Sequence, residues 1–152
     1  MVYMAKSLFL EGIDGTGKSS LIPLLKARLE AQGEKVLTLR EPGGTPYYEA
    51  IREHIHFSNL ERTALSDALT CAGGIAENIV KTKKALSQNT WVLSDRSFIS
   101  NAVYQVSQGL DWATVQAVND LALNDFAYDI KILIDIPVEV AYQRLTSIGK
   151  KK

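Results

Sequence analysis

Cysteine is nearly absent from this sequence of 152 residues, which contains only Cys71 and no CxxC spacing. A single cysteine cannot close a disulfide within the chain, and no cluster of cysteine and histidine has the spacing of a zinc site. The chain also lacks an excess of basic charge, because 17 lysine and arginine residues balance 17 aspartate and glutamate residues. Since polynucleotides are held through many phosphate contacts, this balance argues against a polynucleotide partner.

Long apolar runs are missing as well. No stretch approaches the roughly 18 apolar residues of a membrane-spanning helix, and only a short apolar run precedes Glu11. We therefore expect a cytoplasmic protein without a membrane segment. The sequence has no internal repeat or low-complexity linker, and its length suits one hydrophobic core, so residues 1–152 are expected to form a single domain.

Short apolar segments alternate with helical patterns along the chain. The predicted strands are Ser7–Glu11, Val36–Arg40, Trp91–Asp95 and Ile130–Ile136. The predicted helices run from Lys18 to just before Gly33, then over Pro46–Phe57, Ser66–Leu86, Ser97–Gln108 and Trp112–Leu123, the last with Asp111 as N-cap. Strands that are apolar on both faces and separated by helices predict a doubly wound α/β fold, in which a parallel sheet has helices on both faces.

A glycine-rich loop joins the first predicted strand to the first helix. Its residues fill the Walker A pattern G-x-x-x-x-G-K-[ST] without a gap, whereas a chance glycine-rich turn is the alternative. In such a loop the lysine reaches the β- and γ-phosphates and the serine hydroxyl binds Mg²⁺. The predicted nucleotide-binding residues are Gly12, Ile13, Asp14, Gly15, Thr16, Gly17, Lys18, Ser19 and Ser20.

Two further blocks follow the second and third predicted strands. They are "REPGGTP", Arg40 to Pro46, and "DRSFISNAVYQ", Asp95 to Gln105. In a parallel sheet these blocks and the glycine-rich loop lie at the same edge, which favours one shared site. Together with "EGIDGTGKSS", they make the sequence similar to the thymidylate kinases from about Leu8 to Arg144.

The resemblance implies a P-loop NTPase fold and transfer of the γ-phosphoryl group of ATP to dTMP. ATP and Mg²⁺ are the implied cofactors, the acceptor is a small molecule, and a homodimer is implied more weakly. Asp95 ends an apolar strand, where a carboxylate can hold Mg²⁺ with Ser19 or merely cap the strand. The predicted catalytic residues are Lys18, Asp14, Arg96 and Arg144.

The acceptor side is implied by residues that match the family's motifs. Arg96 matches the arginine that holds the acceptor phosphate, and Arg40 assists it or is a structural ion-pair partner. Asp14 matches a carboxylate near the acceptor phosphate and sugar, with a turn-forming role as the alternative. Asn101 and Tyr104 match residues that face the nucleoside, although spacing alone fits a packed Tyr104 equally well. The loop residues beside the acceptor are Pro42, Gly43 and Gly44.

The sequence departs from the family in the helix before the third strand. Members usually carry a phenylalanine that stacks on thymine and, four residues later, an arginine that hydrogen-bonds it. Here Thr70 and Gly74 stand at those positions, and Gly73 adds a second glycine in mid-helix. We therefore expect an altered base pocket, and a kinase for another nucleoside monophosphate is the alternative.

A second departure concerns the catalytic arginine. Gly15 stands where eukaryotic members carry a loop arginine, so the sequence resembles the bacterial type, whose catalytic arginine comes from a lid after the fourth strand's helix. Only Arg144 and the run Lys150 to Lys152 are available for that role, and the family's fifth strand and last helix are missing. The chain is thus expected to be a fragment or a degenerate member, binding nucleotide with slow or lost turnover.

Overall fold

The computed structural model describes residues 4–147 and residue 149. Its four strands are β1 (Ser7–Glu11), β2 (Lys35–Arg40), β3 (Thr90–Asp95) and β4 (Ile130–Leu133). The helices in this part of the chain are α1 (Lys18–Glu30), α2 (Pro46–Phe57), α3 (Ala64–Ser87), α4 (Phe98–Ser107), α5 (Trp112–Leu123) and α6 (Val138–Ser147).

All strand pairs of the sheet are parallel, in the order β2-β3-β1-β4. The register places Asp95 opposite both Leu10 of β1 and Arg40 of β2. The strands' carboxyl ends therefore meet at one edge, as the sequence predicts. The fourth strand was predicted to reach Ile136 but ends at Leu133, because its partner β1 ends at Glu11, whose carbonyl oxygen accepts from Ile134 N at 2.8 Å.

The two central strands are buried on both faces. On one face Leu10 and Leu93 pack with Ile22 of α1. On the other, Phe9 packs with the α3 residue Ile75 and with Tyr128. Helices thus cover both sides of the sheet, which confirms the predicted doubly wound α/β arrangement.

Polar side chains set where several helices begin. The hydroxyls of Thr45 and Thr63 accept hydrogen bonds from backbone amides at the starts of α2 and α3. Because Thr63 caps α3, this helix begins at Ala64 rather than at the predicted Ser66. Asp111 accepts from Thr114 N at 3.0 Å and is the N-cap of α5, as predicted.

The loop after β2 is held by a buried amide of α3. Asn78 Nδ2 lies 2.8 Å from Glu41 Oε1 and 3.1 Å from the carbonyl oxygens of Arg40 and Gly43. The other carboxyl oxygen of Glu41 is buried and has no hydrogen-bond partner among residues 4–147 and 149. Burial raises the pKa of Glu41 to about 8, although the bond from Asn78 opposes the shift.

A pH-dependent stability follows for Glu41. Between its ordinary pKa of 4.5 and about 8, the folded chain keeps a proton that the unfolded chain has released. The free energy of unfolding should therefore fall as pH rises through this window, by at most about 1.4 kcal/mol per pH unit from this group. Urea denaturation between pH 5 and 8 should show that Glu41→Gln removes this slope. The exposed α2 residue Glu53 provides a control, and an identical slope in Glu41→Gln and Glu53→Gln would contradict the prediction.

The two mid-helix glycines of α3, Gly73 and Gly74, pack against Tyr48 of α2. A Cβ at Gly73 would overlap Tyr48 Oη, and one at Gly74 would lie 3.1 Å from Tyr48 Cδ1. The ring of Tyr48 therefore rests on the α3 backbone. This packing accounts for glycines in a helix, where each costs about 1 kcal/mol relative to alanine.

Alanine at position 73 should therefore not stabilise α3. Helix propensity alone predicts that Gly73→Ala raises the free energy of unfolding by about 1 kcal/mol, but overpacking against Tyr48 should lower it by about 1–3 kcal/mol. Tyr48→Phe removes the overlapping hydroxyl, so Gly73→Ala should be much better tolerated in that background. Urea unfolding of the four chains in this double-mutant cycle measures the coupling. An equal effect of Gly73→Ala in both backgrounds would rule out the contact.

Candidate active site

The loop between β1 and α1 curves around the start of α1. Gly17 has a left-handed backbone, with φ of 99°, and is the N-cap of α1. Gly15, with φ of 87°, packs so closely on α6 that a Cβ there would lie 2.5 Å from the carbonyl oxygen of Ala141. The loop thus lies between α1 and α6. Its backbone amides are at the N-terminus of α1, a position that favours the binding of anions.

Lys18 points back into this loop. Its side chain is buried, and Nζ donates to the carbonyl oxygens of Gly12 at 2.6 Å and Ile13 at 2.9 Å. Burial and, next, the charge of Arg96 lower the pKa of Lys18, while nearby carboxylates, including Asp14 and Asp95, act in the opposite direction. The loop therefore holds a desolvated cation at its centre.

Two hard oxygen donors lie beside the loop. Ser19 Oγ donates to Asp95 Oδ2 at 2.7 Å, which joins the first turn of α1 to the end of β3. Within the described part of the chain, no group of three or more histidine, cysteine or acidic side chains is arranged to hold a metal ion. This donor pair fits Mg²⁺, which usually keeps several waters and binds substrate phosphate together with one or two protein ligands.

Arg96 lies between the loop and α4. Its guanidinium forms an ion pair with Asp14, and Nη1 donates to Ser100 Oγ at 2.9 Å. The same guanidinium stands 5.8 Å from the ring centroid of Tyr104, whose side chain is 44% exposed. Asp14, Arg96 and Tyr104 are therefore brought together, as their assignment to one acceptor site requires.

Arg40 is paired on the neighbouring strand end. Its Nε donates to Glu49 Oε1 at 2.9 Å, and this pairing is the main cause that lowers the pKa of Glu49 to about 2. Glu49 also accepts from Gly44 N at 2.9 Å, so it ties α2 to the loop after β2. The ion-pair alternative for Arg40 thus has a partner in the structure.

A third arginine, Arg52 of α2, joins these two and escaped the sequence analysis. Its Nη1 donates to the carbonyl oxygen of Pro42 at 2.9 Å. Burial lowers the pKa of Arg52, and the charges of Arg40 and Arg96 lower it further. We call Arg40, Arg52 and Arg96 the arginine cluster. No motif marks Arg52, since it reaches the cluster only through the packing of α2.

A cavity of about 530 Å³ lies between the Ser19–Asp95 pair and one member of this cluster, Arg40. Ser19 and Asp95 line one part of it, and Arg40, Glu49 and Gly44 line another. The residues predicted for Mg²⁺ and those predicted beside the acceptor therefore border the same space.

Asn101 is placed differently from Tyr104, its neighbour on α4. Asn101 is buried, and its Nδ2 donates to Asn119 Oδ1 at 2.9 Å and to the carbonyl oxygen of Ala68 at 3.2 Å. Gln105 Nε2 donates to Asn101 Oδ1 at 3.4 Å. The Asn101 amide is thus engaged in the packing of α3, α4 and α5, and its contact with a nucleoside stays a prediction.

The predicted base positions border the space between α2 and α3. Thr70 lines a cavity of about 320 Å³ with the apolar side chains of Ile51 and Ile55. Gly74 lies under Tyr48 and is not part of that lining. A small hydroxyl-bearing residue, Thr70, therefore borders this cavity, and its contact with a base stays a prediction.

Arg144 of α6 lies against the glycine-rich loop. Its Nη1 donates to the carbonyl oxygens of Gly15 at 3.3 Å and Thr16 at 3.4 Å. The run Lys150 to Lys152, the other candidate source of a cation, lies outside the described residues. No helix in the described ranges is both long and apolar enough to cross a membrane.

Comparisons with known proteins agree with this architecture. A thymidylate kinase of Rhodopirellula baltica is 35% identical over 145 residues, covering 94% of this chain and 59% of the relative. One of Thermosipho africanus is 39% identical over 139 residues, covering 89% of this chain and 68% of the relative. The chain thus spans roughly three fifths to two thirds of the length of these curated relatives.

A solved structure extends the comparison to the fold. The crystal structure of thymidylate kinase from Ehrlichia chaffeensis superposes with a TM-score of 0.78 at 33% identity, covering 96% of this chain and 87% of the other. This match confirms the predicted P-loop NTPase fold. The sequence model of the family described as thymidylate kinase matches residues 10–152. With nearly the whole chain matched, the protein belongs to the thymidylate kinase family.

Proposed function

We propose that this chain binds ATP and dTMP and transfers the γ-phosphoryl group to dTMP, yielding dTDP. The observation that carries the proposal is the cavity that Ser19 and Asp95, beside the glycine-rich loop, share with Arg40 and Gly44 on the predicted acceptor side. A donor phosphate chain and an acceptor phosphate need opposite sides of such a space. Membership of the family supports the same reaction.

On the donor side, the loop amides and Lys18 bind the β- and γ-phosphates. The buried ammonium of Lys18 already lies among loop carbonyls, so little reorganisation is needed to place it on phosphate oxygens. Ser19 and Asp95 would hold Mg²⁺, which neutralises phosphate charge when bound. Because Ser19 is on α1 and Asp95 is at the end of β3, both next to the glycine-rich loop, Mg²⁺ would lie beside the phosphates that the loop binds.

On the acceptor side, the arginine cluster binds the dTMP phosphate. Arg96 carries the main contact, since it is largely buried and Asp14 fixes its orientation from the loop. Arg52 and Arg40 add positive charge from α2 and β2, and the loop Pro42 to Gly44 borders the ligand. The three positive charges of the cluster repel one another when no anion is present. The binding of a phosphate anion is therefore favoured.

Transfer requires the acceptor oxygen, the γ-phosphorus and the leaving oxygen in line. Positioning and charge neutralisation supply nearly all of the catalysis in such reactions. Lys18 supplies a cation on the donor side, Arg96 supplies one on the acceptor side, and Arg144 adds a cation on the α6 side of the loop. For the base, we propose the cavity between α2 and α3, with Thr70, Asn101 and Tyr104 as candidate contacts. A homodimer stays a prediction.

The proposal is tested by the release of ADP from ATP and Mg²⁺ with a panel of nucleoside monophosphates. We expect dTMP to be the best acceptor, and Lys18→Ala to abolish turnover because the phosphate clamp is lost. Lys26→Ala is the matched control and should keep wild-type turnover, because Lys26 lies on the same helix and its ion pair among residues 4–147 and 149 is with Glu30. Activity in Lys18→Ala would refute the role of the loop, and a better acceptor than dTMP would refute the assigned substrate.

Arg96→Ala should act on the acceptor alone. Loss of charge-assisted bonds of about 1.5–3 kcal/mol corresponds to a 10- to 150-fold weaker affinity for dTMP. ATP affinity should stay within twofold, because Arg96 is not among the loop's phosphate contacts. Calorimetric titration with each nucleotide measures both values, and exposed Arg28 on α1 provides the control substitution to alanine. Equal losses for ATP and dTMP would show that Arg96 is not the acceptor clamp.

A further inference from the structure

Arg96 has an unusual backbone for a residue with a side chain. Its φ of 76° lies in the left-handed region, which favours glycine and persists elsewhere only where the surroundings hold it. Two bonds fix this backbone: Arg96 N donates to the carbonyl oxygen of Leu10 at 2.9 Å, and Ser94 Oγ donates to the carbonyl oxygen of Arg96 at 2.9 Å. The strained residue is also the one assigned to the acceptor phosphate.

The residues after Arg96 are anchored by a buried carboxylate of β1. Glu11 is 6% exposed and accepts from Ser97 N and Ser97 Oγ, both at 2.8 Å. It also accepts from Ser100 N at 3.2 Å and Ser100 Oγ at 2.9 Å. A buried carboxylate needs such donors, and the N-terminus of α4 stabilises its charge.

Ser100 connects this anchor to the guanidinium. Its hydroxyl donates to Glu11 Oε2 and accepts from Arg96 Nη1, both at 2.9 Å. A hydroxyl can do both at once, since it has one proton to donate and two lone pairs. Arg96 then pairs with Asp14, so a continuous chain of hydrogen bonds runs from Glu11 through Ser100 and Arg96 to the glycine-rich loop.

We infer that Glu11 and Ser100 are positioning residues, which hold the Arg96 guanidinium in the orientation that receives the acceptor phosphate. The inference rests on the proposed function for the identity of the phosphoryl acceptor, dTMP. The orientation of the Arg96 guanidinium is set by contacts within the chain. The Ser100 hydroxyl donates its proton to the buried carboxylate of Glu11. This bond fixes the direction of the hydroxyl, so that its lone pairs face Arg96 Nη1. Without Ser100, Asp14 would be the main remaining restraint on the guanidinium.

Ser100→Ala tests this role, with Ser97→Ala as the matched control on the same carboxylate. Ser97 Oγ also contacts Glu11 and caps α4 but does not touch the guanidinium. We expect Ser100→Ala to weaken dTMP binding about tenfold in calorimetric titration, with ATP affinity within twofold. Ser97→Ala should lower the thermal midpoint yet leave dTMP affinity within twofold. Equal effects of the two variants on dTMP would overturn the inference.

Two further measurements separate this inference from the proposed function. In an Arg96→Ala background, Ser100→Ala should change dTMP affinity no further, because its effect passes through Arg96. The NMR order parameter of the Arg96 Nε–H group should fall in Ser100→Ala and stay unchanged in Ser97→Ala, with no ligand present. An unchanged order parameter in Ser100→Ala would overturn the positioning role whatever dTMP does. If Arg96→Ala left dTMP affinity unchanged, the acceptor assignment would fail, and the order parameter would still decide the positioning.

Glu11→Gln is a second variant that tests whether Glu11 positions the Arg96 guanidinium. It keeps the shape of the side chain but replaces one accepting oxygen by an NH₂ group. Either the Ser100 hydroxyl on Oε2 or the three donors on Oε1, which are Ser97 N, Ser97 Oγ and Ser100 N, then lose their acceptor. We expect a lower Arg96 order parameter than in Ser100→Ala. Because a buried, four-bonded carboxylate also supports the fold, this variant is interpreted only beside Ser100→Ala, which leaves the backbone bonds of Glu11 in place. A rigid Arg96 in both variants would contradict the inference.

Discussion

Parallel pairing of β1 with β3 is the constraint from which the candidate site follows. It places Leu10 opposite Asp95, the last residue of β3. The glycine-rich loop, which follows Glu11, therefore begins beside the carboxylate predicted to hold Mg²⁺. Pairing of β2 with β3 then brings Arg40 opposite the same aspartate. A slip of one residue would turn Asp95 and its neighbours to the other face of the sheet. The buried apolar side chains of the central strands therefore also determine the geometry of the polar site.

Charge balance is the second organising feature of this edge of the sheet. Two of the three clustered arginines have an acidic partner, Asp14 for Arg96 and Glu49 for Arg40. Asp14 belongs to the glycine-rich loop, and Glu49 accepts a hydrogen bond from Gly44 N in the loop after β2, so the ion pairs also connect each arginine to a loop. This arrangement fits a chain whose net charge is zero and which still gathers several cations at one place.

The fold and the loop could be predicted because their patterns are local. Strand-loop-helix order and the Walker A spacing identify Gly12 to Ser20, and an aspartate before Trp112 identifies the start of α5. Arg52 could not be predicted, since its approach to Arg96 depends on how α2 packs. The position of Asn101 also depends on tertiary contacts, because its amide meets Ala68 and Asn119 from two other helices. Likewise, the glycines of α3 fit a helix only once Tyr48 is placed beside them.

The contact between Gly15 and α6 restricts where a cation beside the glycine-rich loop can come from. Any side chain at position 15 would begin 2.5 Å from the carbonyl oxygen of Ala141, which leaves no room for it while α6 is in place. Arg144 approaches the loop from this same helix. A loop arginine and a helix packed in this way are therefore alternatives that exclude each other sterically. In this chain, a side chain at position 15 would require α6, and Arg144 with it, to move away from the loop.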